Sequence, residues 1–208
     1  MPERDTLLRT MHDAGLAAWF GGSLMGATGL NRAASEADDP RERLHISSIG
    51  WDRWAPINMM AIGAYLVGSA AILANERRRV AGQKGVASMS AVKTGLTLAA
   101  LAATAYSRRL GRKIEQAGPV PVEGVTEPSP ATPPEVRRAQ RRLKVAQWSI
   151  PLFTGAVLAV SALAGEQQKP ASVVSGIAGR IGDAMLPGRR RARIVPTRTK
   201  IRALRLAK

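Results

Sequence analysis

Charged residues are absent from four stretches of the chain, 14 to 31, 54 to 75, 94 to 107 and 145 to 165, which run for 18, 22, 14 and 21 residues. A bilayer core of about 30 Å takes about 20 mostly apolar residues at a rise of 1.5 Å each. Three stretches meet that length as they stand. The third meets it when extended back to Ser88, which places Lys93 about 7.5 Å deep, where its stem can snorkel to the headgroups. A soluble bundle helix would carry a charged face, yet "PINMMAIGAYLVGSAAILAN" (56 to 75) is apolar or small all round, as suits lipid. The expectation is an all-α fold: an integral membrane bundle of four transmembrane helices, with a Pro-rich linker and a basic C-terminal tail. Arg4 and Arg9 before the first apolar run also fit a signal peptide, but Asn31 and Arg32 intrude where cleavage would fall, so an uncleaved span is preferred.

Small residues recur at helical spacing in each stretch. On a wheel Gly15, Ala18, Gly22, Gly26 and Gly29 share one side, with Phe20 and Leu24 opposite. The second span repeats this with Ala61, Ala64, Gly68, Ala71 and Asn75, the third with Gly95, Ala99 and Ala102, and the fourth with Gly155, Ala159 and Ala162. Small residues let helix backbones meet, and van der Waals contact then replaces the hydrophobic drive that lipid cannot supply. The helix-packing candidates are therefore Gly15, Gly22, Gly26, Gly29, Ala64 and Gly68. Gly22 and Gly26 form a G-x-x-x-G, read first as internal packing and second as a homodimer contact. Pro151 predicts a kink in the fourth span, with Ser149 or Thr154 able to satisfy freed carbonyls.

Between the spans, "AGPVPVEGVTEPSPATPP" (117 to 134) holds six of the 13 prolines and reads as an extended, partly polyproline connector. Thr132 and Glu135 form a capping-box pattern, so a helix is expected from there through "EVRRAQRRLKVAQW" into the fourth span, with Val136, Ala139, Leu143 and Ala146 on one face. The chain divides into a three-helix membrane segment (1–116), the linker (117–134), the amphipathic lead-in, fourth span and an interfacial helix (135–187), and the tail (188–208).

Composition sharpens this picture in three ways. Aromatic residues make up only 4 % of the chain, poor filling for a soluble core, and Trp19, Trp51, Trp54, Tyr65, Tyr106 and Trp148 mostly fall near span ends, where aromatic belts form. Cysteine is missing, which excludes disulfides, thiolate metal sites and cysteine nucleophiles. The net charge of +16 points to an anionic partner, and nine of the basic residues sit in the tail: Arg189, Arg190, Arg191, Arg193, Arg198, Lys200, Arg202, Arg205 and Lys208. At about 1 kcal/mol per basic residue near an anionic leaflet, lipid headgroups are the first partner. Nucleic acid ranks behind, since the tail has no aromatic residue on which bases could stack.

Four spans put both termini on one side. Counting every basic residue favours termini inside, 17 against 13, while counting those near span ends reverses it, 8 against 13. The acid-rich first loop and the extreme tail favour cytoplasmic termini; a third stretch that only re-entered the membrane would put both its basic flanks inside and the C-terminus outside.

Chemistry is sparse. His12 and His45 lack a third ligand for a metal or haem site, and neither a phosphate loop, H-E-x-x-H nor G-x-S-x-G occurs. No catalytic, cofactor or metal site is expected. A transporter would use Lys93, Asn58 and Asn75 as polar membrane groups. The leading expectation is a non-enzymatic accessory or scaffold protein with a protein partner in a membrane complex, or a homo-oligomer; a small permease-like transporter and a nucleic-acid tether are the alternatives.

The phrases "HDAGLAAWFGGSLMGATGLNRAA", "GWDRWAPINMMAIGAYLVG", "VKTGLTLAALAATAYSRRLGRKIEQAG", "TEPSPATPPEV" and "LKVAQWSIPLFTGAV" resemble a group of uncharacterised actinobacterial membrane proteins, over residues 12 to 168. The resemblance implies a multi-span protein of the bacterial cytoplasmic membrane without an assigned activity. The opening His followed by W-x-G-G is similar to the heads of copper-resistance-type membrane proteins, whose further polar membrane residues this chain lacks.

Overall fold

A computed structural model describes residues 2–75 and 84–167. Everything said of the tail, of the interfacial helix at 171–187 and of the basic loop near residues 76–83 falls outside them. The described chain is helical, and its one piece of β-pairing is an isolated antiparallel bridge, Val122 to Pro128. Helix α1 (Pro2–Met25) passes through a π-helical turn, Gly26–Leu30, into the short α2 (Asn31–Ser35). Three long helices follow: α3 (Arg43–Asn75), α4 (Lys84–Glu115) and α5 (Pro134–Gln167).

Contacts fix the directions. Gly15 lies against Ala61 and Tyr65, and Gly26 against Trp51, so α1 and α3 are antiparallel. Tyr65 pairs with Thr97 and Asp52 with Arg108, so α3 and α4 are antiparallel too. Asn31 bonds to Gln147 and Phe20 covers Gly155, which runs α5 against α1. The result is an up-down-up-down four-helix bundle.

Two apolar clusters lie along it. One, built from Leu16, Trp19, Tyr65, Ala100, Ile150 and Val157, sits among the apolar stretches. The other, with Leu44, Leu110, Ile114, Val122, Val136 and Leu143, forms a small head where α3, α4 and α5 extend beyond them. The lead-in face of α5 is as expected, with Val136, Ala139, Leu143 and Ala146 all buried.

The connector 117–133 is folded, contrary to the extended spacer expected. Val122, Val125, Thr126 and Thr132 are buried. Gln140 donates to the Gly124 and Val125 carbonyls, each at 3.0 Å, and the Arg43 guanidinium donates to those of Val122 (3.2 Å) and Glu123 (2.8 Å). The prolines thus shape a compact loop whose carbonyls are claimed by distant helices. Thr132 is no capping-box residue: its hydroxyl donates to the Pro121 carbonyl at 2.7 Å and accepts the Ser129 N–H at 2.9 Å. Inside α5, Pro151 removes the N–H that would reach the Gln147 carbonyl; the Thr154 and Ser149 hydroxyls donate instead to the carbonyls four residues before them, Ile150 and Val145, each at 2.8 Å.

Two helices, α3 and α5, are long and apolar enough to cross a membrane. A core helix of a soluble protein would have its apolar window covered, but only 17 % of that window is buried in α3 and 33 % in α5. Met59 stands 74 % exposed and Met60, Val67 and Leu152 also face outward. Those surfaces suit a hydrocarbon solvent.

Candidate functional site

The glycine seam is the closest contact in the bundle. A methyl group at Gly15 would lie 2.5 Å from the Ala61 carbonyl oxygen and 2.6 Å from the Tyr65 nitrogen; one at Gly68 would lie 2.6 Å from the Leu8 carbonyl oxygen. Backbone therefore meets backbone, and α1 and α3 interlock through one glycine each. At Gly22 and Gly26 the space is filled by the Trp54 and Trp51 indoles, so these two glycines receive rings from α3 of the same chain. Ala64 is half-buried beside the seam.

Gly29 is a correction. It is exposed, and an added methyl would meet only Met25 of its own helix, at 3.6 Å. The π turn accounts for this: its bond from the Asn31 N–H to the Gly26 carbonyl inserts one residue, moving the buried face to Asn31 and Ala34. The stripe on α4 is a second correction, because Gly95 has nothing within 4 Å and Ala102 is exposed. Helix α4 instead buries Thr97 and Ala100. On α5 Gly155 meets Phe20 at 3.1 Å, while Ala159 and Ala162 face outward.

Aromatic residues mostly point inward as well. Trp19 and Tyr65 are fully buried, Trp51 and Trp54 lie on the glycines, and of the six only Tyr106 and Trp148 are exposed. Trp19 donates to the Thr104 hydroxyl at 3.2 Å.

Asn31, carried inward by the π turn, organises a buried polar knot. Its amide donates to Gln147 at 2.8 Å, and its oxygen accepts from Trp51 at 3.0 Å and Ser47 at 3.3 Å. Nothing in the hydrophobic pattern singled this residue out; the signal was an asparagine at the end of an apolar run.

A second polar group lies at the opposite end. His12 is buried, its Nδ1 2.7 Å from Asp13 and its Nε2 3.5 Å from the Lys93 ammonium, and its ring packs on Tyr65 at 5.1 Å between centroids. Lys93 thus turns to the bundle rather than snorkelling outward. His45 is exposed, far along the chain from His12 and at the other end of the bundle. Among the described residues no group of three or more His, Cys, Asp or Glu could hold a metal ion.

Between the two apolar clusters lies a cavity of about 120 Å³. Trp51, Trp54, Leu143 and Ile150 wall it, Asn58 and Ser107 line it, and the exposed Arg108, Arg112 and Glu115 stand at its rim. Asn58 Oδ1 and Ser107 Oγ are buried and have no hydrogen-bond partner among the described residues. Two further polar linings are engaged: Ser23 donates to the Trp19 carbonyl at 2.6 Å and Thr104 to that of Ala100 at 2.8 Å.

In the head, Glu127 accepts from the Thr126 hydroxyl at 2.8 Å and pairs with Lys144 at 3.1 Å. Burial alone would raise its carboxyl, but those hydrogen bonds and the lysine charge outweigh it and hold the group below the ordinary carboxylate value.

Compared with known proteins, the chain matches no family model, no curated protein and no solved structure. Function must therefore be argued from the arrangement itself.

Proposed function

We propose that this chain is a four-span protein of the bacterial cytoplasmic membrane that serves as a non-catalytic accessory or scaffold subunit. The observation that carries the reading is the poorly covered α3, whose apolar window is 17 % buried although its seam with α1 is closed by backbone contact. A rigid bundle with so much outward apolar surface suits lipid and a helical partner together.

Connectivity supports four spans. The Val122 N–H donates to the Pro40 carbonyl at 3.3 Å, and Arg43 binds the 117–133 loop, so the starts of α3 and α5 share one side. If α3 and α5 cross, α4 must cross back between them, and α1, locked along α3, covers the same depth. Both termini are then on one side, proposed as cytoplasmic, with the tail residues 188–208 on anionic headgroups.

With Gly22 and Gly26 filled by this chain's own tryptophans, a homodimer through them loses its support. The outward Gly95 and Ala102, with the half-buried Ala99 between them, take their place as the surface for a partner helix. A photo-crosslinker at Ala102 should capture one partner stoichiometrically in native membranes, while one at Leu16, buried in the cluster that holds Tyr65, should capture only the same chain. Purification as an isolated monomer, with no adduct from the Ala102 face, would sink the scaffold reading. A small carrier is the second reading, favoured by the cavity; solute uptake by liposomes holding the purified chain alone would establish it.

A further inference from the structure

The outward side of α5 is basic in its first turns and apolar beyond them. Arg138, Arg141, Val145, Trp148 and Leu152 follow one another at alternating intervals of three and four residues, all exposed, opposite the buried Val136, Ala139, Leu143, Ala146 and Ile150. That spacing is one face of a helix, so two guanidiniums and three apolar side chains stand in one row. Leu152 lies about 16 Å along the helix from Arg141 at 1.5 Å per residue. A bilayer core of about 30 Å gives one leaflet nearly that hydrocarbon depth.

The charge at the head of this row is uncommitted. Lys144 pairs with Glu127 at 3.1 Å and Arg108 with Asp52, while Arg137 donates to the Pro130 and Thr132 carbonyls. Among the described residues no carboxylate pairs with Arg138, Arg141 or Arg142. Arg109, Arg112 and Lys113 are exposed on the end of α4, which packs on this part of α5 through Leu110, Ile114, Val136 and Leu143. Only Glu115 and Glu135 oppose these six cations on the two helix ends. A second copy in the same orientation would set this belt against its own, and like charges across an interface repel.

We propose that the outward face of α5 binds one anionic diacyl phospholipid, its phosphate held by Arg138 and Arg141 and its acyl chains laid along Val145, Trp148 and Leu152. The planar guanidinium matches phosphate oxygens through paired N–H donors, and the surrounding belt favours a headgroup with a net negative charge. The site is separate from the basic tail, which four spans place on the opposite side. It rests on the membrane reading, because α5 meets lipid along this face only if it crosses.

The test uses the full chain in vesicles of phosphatidylcholine and phosphatidylglycerol, with one or the other lipid carrying bromines on its chains as fluorescence quenchers. The Trp148 signal is the difference between wild type and Trp148→Phe. Trp148 lies about 10 Å along the helix from Arg141, level with the middle of a bound chain. Both leaflets hold the same lipids, so the orientation of the protein does not enter.

Phosphatidylglycerol should be preferred at Trp148 by roughly 25-fold, about fivefold for each of the two arginines. Arg138→Gln and Arg141→Gln should each lower the preference about fivefold, and the double variant should abolish it. Unchanged quenching by brominated phosphatidylcholine alone marks their fold as intact. Arg9→Gln removes the same charge at the far end of the bundle and should leave the preference unaltered. Equal quenching of Trp148 by the two brominated lipids would overturn the site while keeping α5 in the membrane. No quenching of Trp148 by either lipid would overturn both the site and the span. A preference that persists in the double variant, or that falls as far in Arg9→Gln, would also overturn the proposal.

Discussion

Gly15→Ala is the sharpest probe of the seam. The added methyl would sit 2.5 Å from the Ala61 carbonyl oxygen and 2.6 Å from the Tyr65 nitrogen, atoms that cannot rotate aside. Ordinary contact requires α1 and α3 to part by about 1 Å, and a gap of that size forfeits a quarter to a half of the dispersion attraction along the seam. Overpacking of this kind costs about 1–3 kcal/mol, and the rigidity of backbone places Gly15 at the upper end. Alanine returns up to about 1 kcal/mol in helix propensity, leaving a net loss of about 2 kcal/mol. Gly95→Ala has the same propensity gain and nothing within 4 Å, so it should be neutral or mildly stabilising. For a chain of this size 1 kcal/mol moves a melting midpoint by about 2–4 °C, so Gly15→Ala should melt roughly 4–8 °C below the wild type in detergent, followed by tryptophan fluorescence. Equal midpoints for the two variants would refute the seam.

Other perturbations read other parts of the fold. Asn31→Leu strands Trp51, Ser47 and Gln147 together and should cost about 2–4 kcal/mol, more than Asn58→Leu, whose Oδ1 has no partner among the described residues; comparable melting losses would contradict the knot. Gly26→Ala should displace the Trp51 ring rather than the helix, so its mark is a shifted tryptophan emission with a smaller loss of stability than Gly15→Ala. Glu127 has a folded-state value below its unfolded one, so its stabilisation is present above the ordinary carboxylate value and disappears as pH falls through the depressed value. Wild type should exceed Glu127→Gln in stability at pH 7, with the difference closing in acid; a gap that widens on acidification would reverse the sign.

The sequence carried the helices more plainly than their contacts. Charge-free runs located three long helices and the first, because lipid and core alike exclude charge, and the lead-in face of α5 followed from spacing alone. Gly15, Gly22, Gly26 and Gly68 were legible as close-approach positions, but not that two of them receive indoles from α3. Wheel arithmetic assumes 3.6 residues per turn, so one π turn was enough to carry Gly29 outward and bring Asn31 in. On α4 small size suggested the wrong face, since Thr97 and Thr104 gain hydrogen bonds from Tyr65 and Trp19 that outweigh smooth packing at Gly95. The folded loop at 117–133 was hidden for a different reason: its ties, such as Arg43 to Val122 and Gln140 to Gly124, join residues far apart in the chain. The cavity had no linear signature at all, because Asn58 and Ser107 come together only through the register of two antiparallel helices.

The proposed bundle spans the membrane four times only if α4 crosses it. Single cysteines at Thr6, Asp38 and Ala131, all exposed in a chain without cysteine, allow this to be read by a membrane-impermeant thiol reagent on intact cells. Four spans predict that Asp38→Cys and Ala131→Cys label together from outside while Thr6→Cys labels only after the membrane is opened. The mirror pattern, with Thr6→Cys alone labelled from outside, would keep the four spans and reverse the proposed orientation. Labelling of Asp38→Cys and Ala131→Cys from opposite sides would contradict the bundle itself.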